Sequence, residues 1–133
     1  MNEPLPPDVR ILVIDDDDGI LNLVSALLTR IGITPIIAST AEEGLEILEE
    51  QFVNLLILDL MLPGISGFDV LERLRADDRF DDLPILILSA IVDPEGISKG
   101  LEMGADSYLT KPYLPKNLTS RVRTLLQQGR RRE

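Results

Sequence analysis

Short apolar runs in this chain are unbroken rather than alternating with polar residues. Arg10–Ile14 ends in Asp15, Leu55–Leu58 ends in Asp59, and Ile85–Leu88 ends at Ser89. A strand of this kind has no polar side to offer water, so both of its faces must be covered, as in a parallel sheet layered by helices. Ile33–Ala38 reads as a further strand, and Tyr108 and Leu109 belong to a short fifth one. Between the runs the apolar period changes from a strand's to a helix's. Ile20, Val24, Leu27, Leu28 and Ile31 fall on one helical face, and Gly32 closes that helix as a left-handed cap. Thr40–Glu43 has the capping-box pattern ahead of Leu45 and Leu48. Val70, Leu71 and Leu74 mark a third helix. Asp93-Pro94 opens a fourth, and Pro115 opens a last one along Leu118, Val122, Leu125 and Leu126. Gly96 and Gly100 each weaken the fourth helix by about 1 kcal/mol relative to alanine, which leaves it easy to remodel. The order is β then α five times over: a doubly wound, open α/β sheet. Such a sheet places its site at the carboxyl ends of its strands.

The 133 residues suffice for one domain with its own core. Met1–Asp8, with Pro4, Pro6 and Pro7, reads as a flexible arm, 9–128 as the domain, and 129–133 as a charged tail or the start of a linker. No cysteine and no histidine is present, which excludes disulfides, thiolate metal sites, histidine-based triads and a phosphohistidine carrier. A net charge of -10 argues against a nucleic-acid surface. No apolar run is long enough to span a membrane, and the N-terminus lacks the order of a signal peptide. The expectation is a cytoplasmic domain.

If the strands are parallel, their ends bring together Asp15–Asp18, Asp59, Ser89 and Lys111-Pro112. Taken singly, each has an ordinary explanation: the four aspartates as a solvated or helix-capping run, Asp59 as a loop cap, Ser89 as a turn residue, Lys111 as a surface lysine. Their joint placement after successive strands favours chemistry. Clustered carboxylates resist ionisation unless a cation joins them, and with oxygen ligands alone that cation is Mg²⁺, or Mn²⁺ as a substitute. A lysine and a hydroxyl suit phosphate oxygens. The set fits phosphoryl transfer with Asp59 as nucleophile, since an aspartate can form an acyl phosphate. An EF-hand loop is excluded because Ile14 and Ser25 stand where its acids belong, and a haloacid-dehalogenase-type phosphatase because Met61 stands where its second aspartate belongs.

The segments ILVIDDDD from Ile11, LLILDLMLPGISGFDVL from Leu55, PILILSA from Pro84 and GADSYLTKPY from Gly104 resemble the response-regulator receiver domain of two-component signalling, the CheY-like family, across about nine-tenths of the chain. The resemblance implies a flavodoxin-like three-layer sandwich with strand order 2-1-3-4-5. It implies that Asp15 and Asp16 hold Mg²⁺ together with Asp59 and the Met61 backbone carbonyl, and that Asp59 is phosphorylated. Ser89 reports phosphorylation, Ala90 leaves the phosphate access, Lys111 binds it, and a cis peptide bond joins Lys111 to Pro112. Tyr108 is the aromatic switch. Asp17 and Asp18 cap or acidify the first helix. A histidine kinase or histidine phosphotransfer protein is the donor, and the added group brings about -1.5 to -2 charges. The face of the fourth helix, fifth strand and fifth helix then repacks for an unidentified output protein or domain, or for a phosphorylation-dependent dimer. Of the three charged pairs that zip the winged-helix subfamily's dimer, Asp106 and Arg121 keep one; Ile97, Asn117, Ser107 and Gln128 interrupt the others. Such a protein catalyses only its own phosphorylation and dephosphorylation. The alternatives are a phosphate-independent adaptor and a Mg²⁺-dependent phosphohydrolase. Met61 and Ile91 are apolar where the family tunes hydrolysis, and neither can orient a water. The phosphoryl state is therefore expected to be long-lived; decay followed by intact mass in the presence of Mg²⁺ should take far longer than seconds.

Overall fold

The computed structural model describes Leu5 and residues 7–130. Five strands, β1 (Arg10–Ile14), β2 (Thr34–Ala38), β3 (Leu55–Leu58), β4 (Ile85–Ser89) and β5 (Ser107–Thr110), alternate with five helices. These are α1 (Asp18–Arg30), α2 (Ala41–Glu50), α3 (Gly67–Arg75), α4 (Pro94–Glu102) and α5 (Pro115–Gln128). The sheet is parallel throughout, in the order β2-β1-β3-β4-β5. Because successive strand residues face opposite ways, the apolar runs feed two cores. Leu12, Ile14, Leu56, Leu58, Ile85 and Ile87 meet residues of α2 and α3, including Leu48, Val70, Leu71 and Leu74, with Ile97 and Leu101 of α4 packed alongside. Ile11, Val13, Leu55, Ile57, Leu86 and Leu88 meet Leu21, Val24 and Leu28 of α1 and Leu118 and Val122 of α5. The three-layer, doubly wound sandwich of the sequence reading is the observed fold.

The helix ends reflect local chemistry. Asp17 caps α1, accepting from the Gly19 and Ile20 amides at 2.8 and 3.3 Å. Gly32, at φ 85°, ends it in a Schellman arrangement in which the Gly32 and Ile33 amides donate to Thr29 and Leu28. That use of Ile33 starts β2 at Thr34, one residue later than its apolar pattern suggests. Thr40 caps α2 as expected, but Glu43 reaches back to the Ser39 amide instead of closing the box on Thr40. The complete capping box is at Ser66 and Asp69, ahead of α3. A 3₁₀ turn over Asp78–Phe80, absent from the sequence reading, joins α3 to β4.

The glycines of α4 have a second reason to be there. A Cβ on Gly100 would lie 2.8 Å from Ile87 Cδ1 and 3.5 Å from the Tyr108 ring. The helix approaches β4 and β5 too closely for a larger residue.

One polar network is buried under the amino-terminal ends of β4 and β5. Arg75 donates to the carbonyls of Gly104, Phe80 and Leu83 and pairs with Asp106 at 2.9 Å. The Asp106 carboxylate also accepts from the Ile85 amide and pairs with Arg130 at 3.1 Å. This corrects one expectation. Asp106 does not face solvent for an intermolecular pair with Arg121, because its carboxylate is buried and satisfied inside the chain. Arg121 instead donates to Ser107 Oγ and the Tyr108 carbonyl. Of the two terminal segments, Leu5 is half-buried against the second core and Arg130 is docked, while residues 1–4, 6 and 131–133 lie outside the described residues.

Removing one partner of a buried ion pair strands the other. Arg75→Met should therefore lower unfolding free energy by about 3 kcal/mol in urea titration. Arg79→Met, which breaks surface pairs with Glu49 and Asp77 and a contact over the Phe80 ring, should change it little.

Candidate functional site

Parallel strands end on the same edge, and the backbone ladder runs one residue past three of them, fixing the first residue of each loop. The Asp15 amide donates to the Ala38 carbonyl, the Asp59 amide to Ile14, and the Lys111 amide to Ser89, at 3.2, 3.0 and 2.8 Å. The register Ile14↔Leu58 makes Asp15 and Asp59 neighbours. Both carboxylates are buried, 2% and 4% exposed, and Ser89 is fully buried. Asp16 is exposed beside them.

Lys111 reaches both buried carboxylates. Its Nζ lies 2.7 Å from Asp15 Oδ2 and 3.2 Å from Asp59 Oδ2. The remaining oxygens are held by backbone amides two residues ahead: Asp15 Oδ1 accepts from Asp17, and Asp59 Oδ1 from Met61, each at 3.0 Å. Each side chain is thus oriented by its own loop. Burial pushes the Asp15 pKa up, against the opposing pull of Lys111 and the Asp17 amide, with the Asp59 charge adding to the rise. Burial works against the Lys111 ammonium, but its bond to Asp15 and the Asp59 charge outweigh that, so its pKa is raised too. Ligand oxygens of Asp15, Asp16 and Asp59 lie within 4.8 Å of one another. Three hard oxygen donors on one edge, one of them raised in pKa by burial, suit a hard divalent cation such as Mg²⁺.

The hydroxyl side of the site is built on β4 and β5. Ser89 Oγ accepts from the Ile91 amide at 3.3 Å, and Tyr108 Oη donates to the Ile91 carbonyl at 2.8 Å. Tyr108 is packed inward, 9% exposed, and its pKa is raised by burial, with smaller contributions from Asp93 and Asp59 and an opposing one from the Ser89 hydroxyl. Ala90 is exposed next to Ser89, and the Lys111–Pro112 bond is cis. The residues singled out from the sequence are therefore brought together.

Two features were missed. A Cβ on Gly67 would fall 2.2 Å from the Asp59 carbonyl oxygen and 2.5 Å from Leu60 Cα. The first turn of α3 lies directly on the loop that carries Asp59, tied to it by the Gly67 amide on the Leu60 carbonyl at 3.1 Å. A glycine immediately after a helix-capping serine was the available signal. The second is Tyr113, whose ring packs against the second core and whose hydroxyl is buried without a hydrogen-bond partner among the described residues; nothing in its spacing marks it.

This geometry has two testable consequences. Gly67→Ala must displace either α3 or the Asp59 loop, costing about 2 kcal/mol in stability; spectroscopic titration should show weaker Mg²⁺ binding as well. For Asp15, a pKa raised on folding means the folded state holds the proton more tightly. Its contribution to stability is then largest at low pH and falls as pH rises from the ordinary carboxylate range through the raised value. The difference in stability between wild type and Asp15→Asn, measured without divalent cation, should accordingly move in favour of the variant over that window.

A profile of the response regulator receiver domain matches residues 11–123. Among curated relatives, the transcriptional regulatory protein AfsQ1 of Streptomyces coelicolor is 44% identical over 121 residues, covering 91% of this chain and 52% of its own length. The DNA-binding dual master transcriptional regulator RpaA of Synechocystis is 41% identical, over 90% of this chain and 49% of its own. The chain spans about half the length of the curated relatives it matches. Among solved structures, a response regulator from Chloroflexus aurantiacus superposes with a TM-score of 0.87 at 34% identity, covering 91% of this chain and 99% of its own. With the sheet order, the edge carrying Asp15, Asp59, Ser89 and Lys111, and these matches in hand, the chain belongs to the response-regulator receiver domain family.

Proposed function

We propose that this receiver is switched by phosphorylation of Asp59. The observation that carries the proposal is Lys111 bridging two buried carboxylates, with Ser89 and the Ile91–Tyr108 contact alongside. A carboxylate oxygen of Asp59 attacks the phosphorus of a phosphohistidine on a histidine kinase or phosphotransfer protein. The P–N bond breaks, the imidazole leaves with the bonding pair, and an acyl phosphate remains. The chain has no histidine, so the donor is another molecule. Lys111 then neutralises phosphoryl oxygens in place of part of its contact with Asp15. Mg²⁺, held by Asp15, Asp16, Asp59 and the Met61 carbonyl, would supply charge neutralisation during transfer. Ala90, small and exposed, leaves room for the incoming group.

Ser89 turns toward the phosphoryl group, and the inward Tyr108 is fixed by the same move, so that α4, β5 and α5 present one arrangement to an output partner. Met61, Val92 and Leu114 are large exposed apolar side chains on the loops after β3, β4 and β5. Around an acidic pocket they would give the donor protein apolar footing. Relatives with names that include DNA binding are about twice as long. With its charge of -10, this domain acts through a protein partner or a further domain instead of touching nucleic acid itself. No helix among the described residues is long and apolar enough to cross a membrane, and the domain's place of action is the cytoplasm, where a kinase reaches it.

The test is intact mass after incubation with acetyl phosphate and Mg²⁺, beside Asp59→Asn. The expected result is a gain of one phosphoryl mass in the parent and none in the variant. A parent that stays unmodified with acetyl phosphate and with a panel of phosphorylated kinases would overturn the proposal in favour of a phosphate-independent adaptor.

A further inference from the structure

Two arginines meet on the buried Asp106 carboxylate. Arg75 takes Oδ2 at 2.9 Å, and Arg130, beyond the end of α5, takes Oδ1 at 3.1 Å with its side chain only 15% exposed. The rest of the Arg130 guanidinium is spent on backbone: Nη1 donates to the Asp81 carbonyl at 2.8 Å and Nη2 to the Gly104 carbonyl at 3.3 Å. A planar fork that fills three acceptors, two in the α4–β5 loop and one at the turn before β4, is a positioned group, not a surface charge.

The segments it joins are informative. Asp81 closes the 3₁₀ turn before β4. Asp106 immediately precedes β5, and its amide is tied to the Ile85 carbonyl. Gly104 sits just past the end of α4, at φ 117°, packed against the Arg75 side chain so closely that a Cβ would lie 2.6 Å from Cγ. Its carbonyl accepts from both Arg75 and Arg130. The far end of α4 is therefore gripped by the residue through which the chain leaves α5. Tyr108, two residues beyond Asp106, is packed inward in the same structure.

We infer that Arg130 is a clasp that fastens the chain leaving α5 to the α4–β5 loop, and that phosphorylation of Asp59 tightens it. The coupling rests on the receiver reading above. The closed clasp and the inward Tyr108 occur together here, and they are joined through α4: the Tyr108 ring lies beside Gly100, whose carbonyl accepts from the amide of Ala105, the residue between the two that Arg130 holds. By linkage, losing the clasp weakens the phosphorylated arrangement in turn. A signal received at the carboxyl edge of the sheet is thus delivered to whatever is tethered after α5, at the opposite edge, as a change in how firmly that tether is held.

Limited trypsin digestion of the full chain tests this, because trypsin must seat an arginine side chain to cut after it. Arg131 and Arg132 are neighbouring sites in the same digest. Cleavage after Arg130 should be slower than after Arg131, and slower again, severalfold, in protein treated with acetyl phosphate and Mg²⁺, with the phosphoryl gain read by intact mass in the same tubes. Arg130→Lys keeps the charge and the cleavage site but loses the fork; it should be cut quickly in both states and carry less phosphoryl group at steady state. Cutting after Arg130 in untreated wild type as fast as after the lysine of Arg130→Lys would overturn the clasp. Complete phosphorylation with no change in cutting would overturn its coupling to Asp59. No phosphoryl gain from acetyl phosphate or from the panel of phosphorylated kinases would sink the phosphorylation reading and the coupling with it, while the untreated digest would still decide the clasp.

Discussion

A sheet of wholly apolar strands has to be covered on both faces, and this one is covered by helices that return the chain to start every strand in the same direction. That constraint does more than build the core. It sends all five strand ends to one edge, so residues as far apart in the chain as Asp15 and Lys111 come within 2.7 Å. No individual contact selects the site. The requirement to hide Leu12 and Ile11 on opposite faces does, and the chemistry at the edge depends on which residues happen to end the runs.

The edge is electrostatically uneasy by construction. Asp15 and Asp59 are both buried, close enough for the Asp59 charge to act on Asp15, and share one ammonium. Such a set is weak evidence for stability, since a buried ion pair seldom offsets its own desolvation. It suits instead a site that takes up a hard cation. The backbone holds the carboxylates from behind through the Asp17 and Met61 amides, and Gly67 lets α3 press on the Asp59 loop. The opposite edge is handled in the other way. There the Asp106 carboxylate is held by two arginines and the Ile85 amide.

α4 is the element between these two edges. Gly100 brings it onto Ile87 and Tyr108, Asp93 and Pro94 start it, and its far end runs into the Arg75–Asp106–Arg130 network. Glycines that look from the sequence like pure weakness are spacing devices in the fold, and they remain weak points in the helix. The same residues that let α4 pack closely leave it with little helical propensity of its own.

Much was legible in the chain alone. The unbroken runs ending in Asp15, Asp59 and Ser89, with helical periods between them, specify the fold class, because burial on both faces admits little else. The run ends name the residues that meet on one edge, because a parallel sheet leaves them nowhere else to go. The caps at Asp17, Thr40 and Asp93 were equally plain, being local hydrogen bonds between near neighbours. What the tertiary structure decided is everything set by distance between segments that no local rule relates. Glu43 chose the Ser39 amide over Thr40. Gly67 is needed because α3 lies against a loop seven residues back. Asp106, which in sequence looks like an available surface charge, is buried because Arg75 and Arg130 arrive from α3 and from beyond α5. Local pattern carries hydrophobic period and capping, which act over three or four residues. The pairing of charges across 24 and 31 residues is settled only when the packed layers have fixed where each backbone stands.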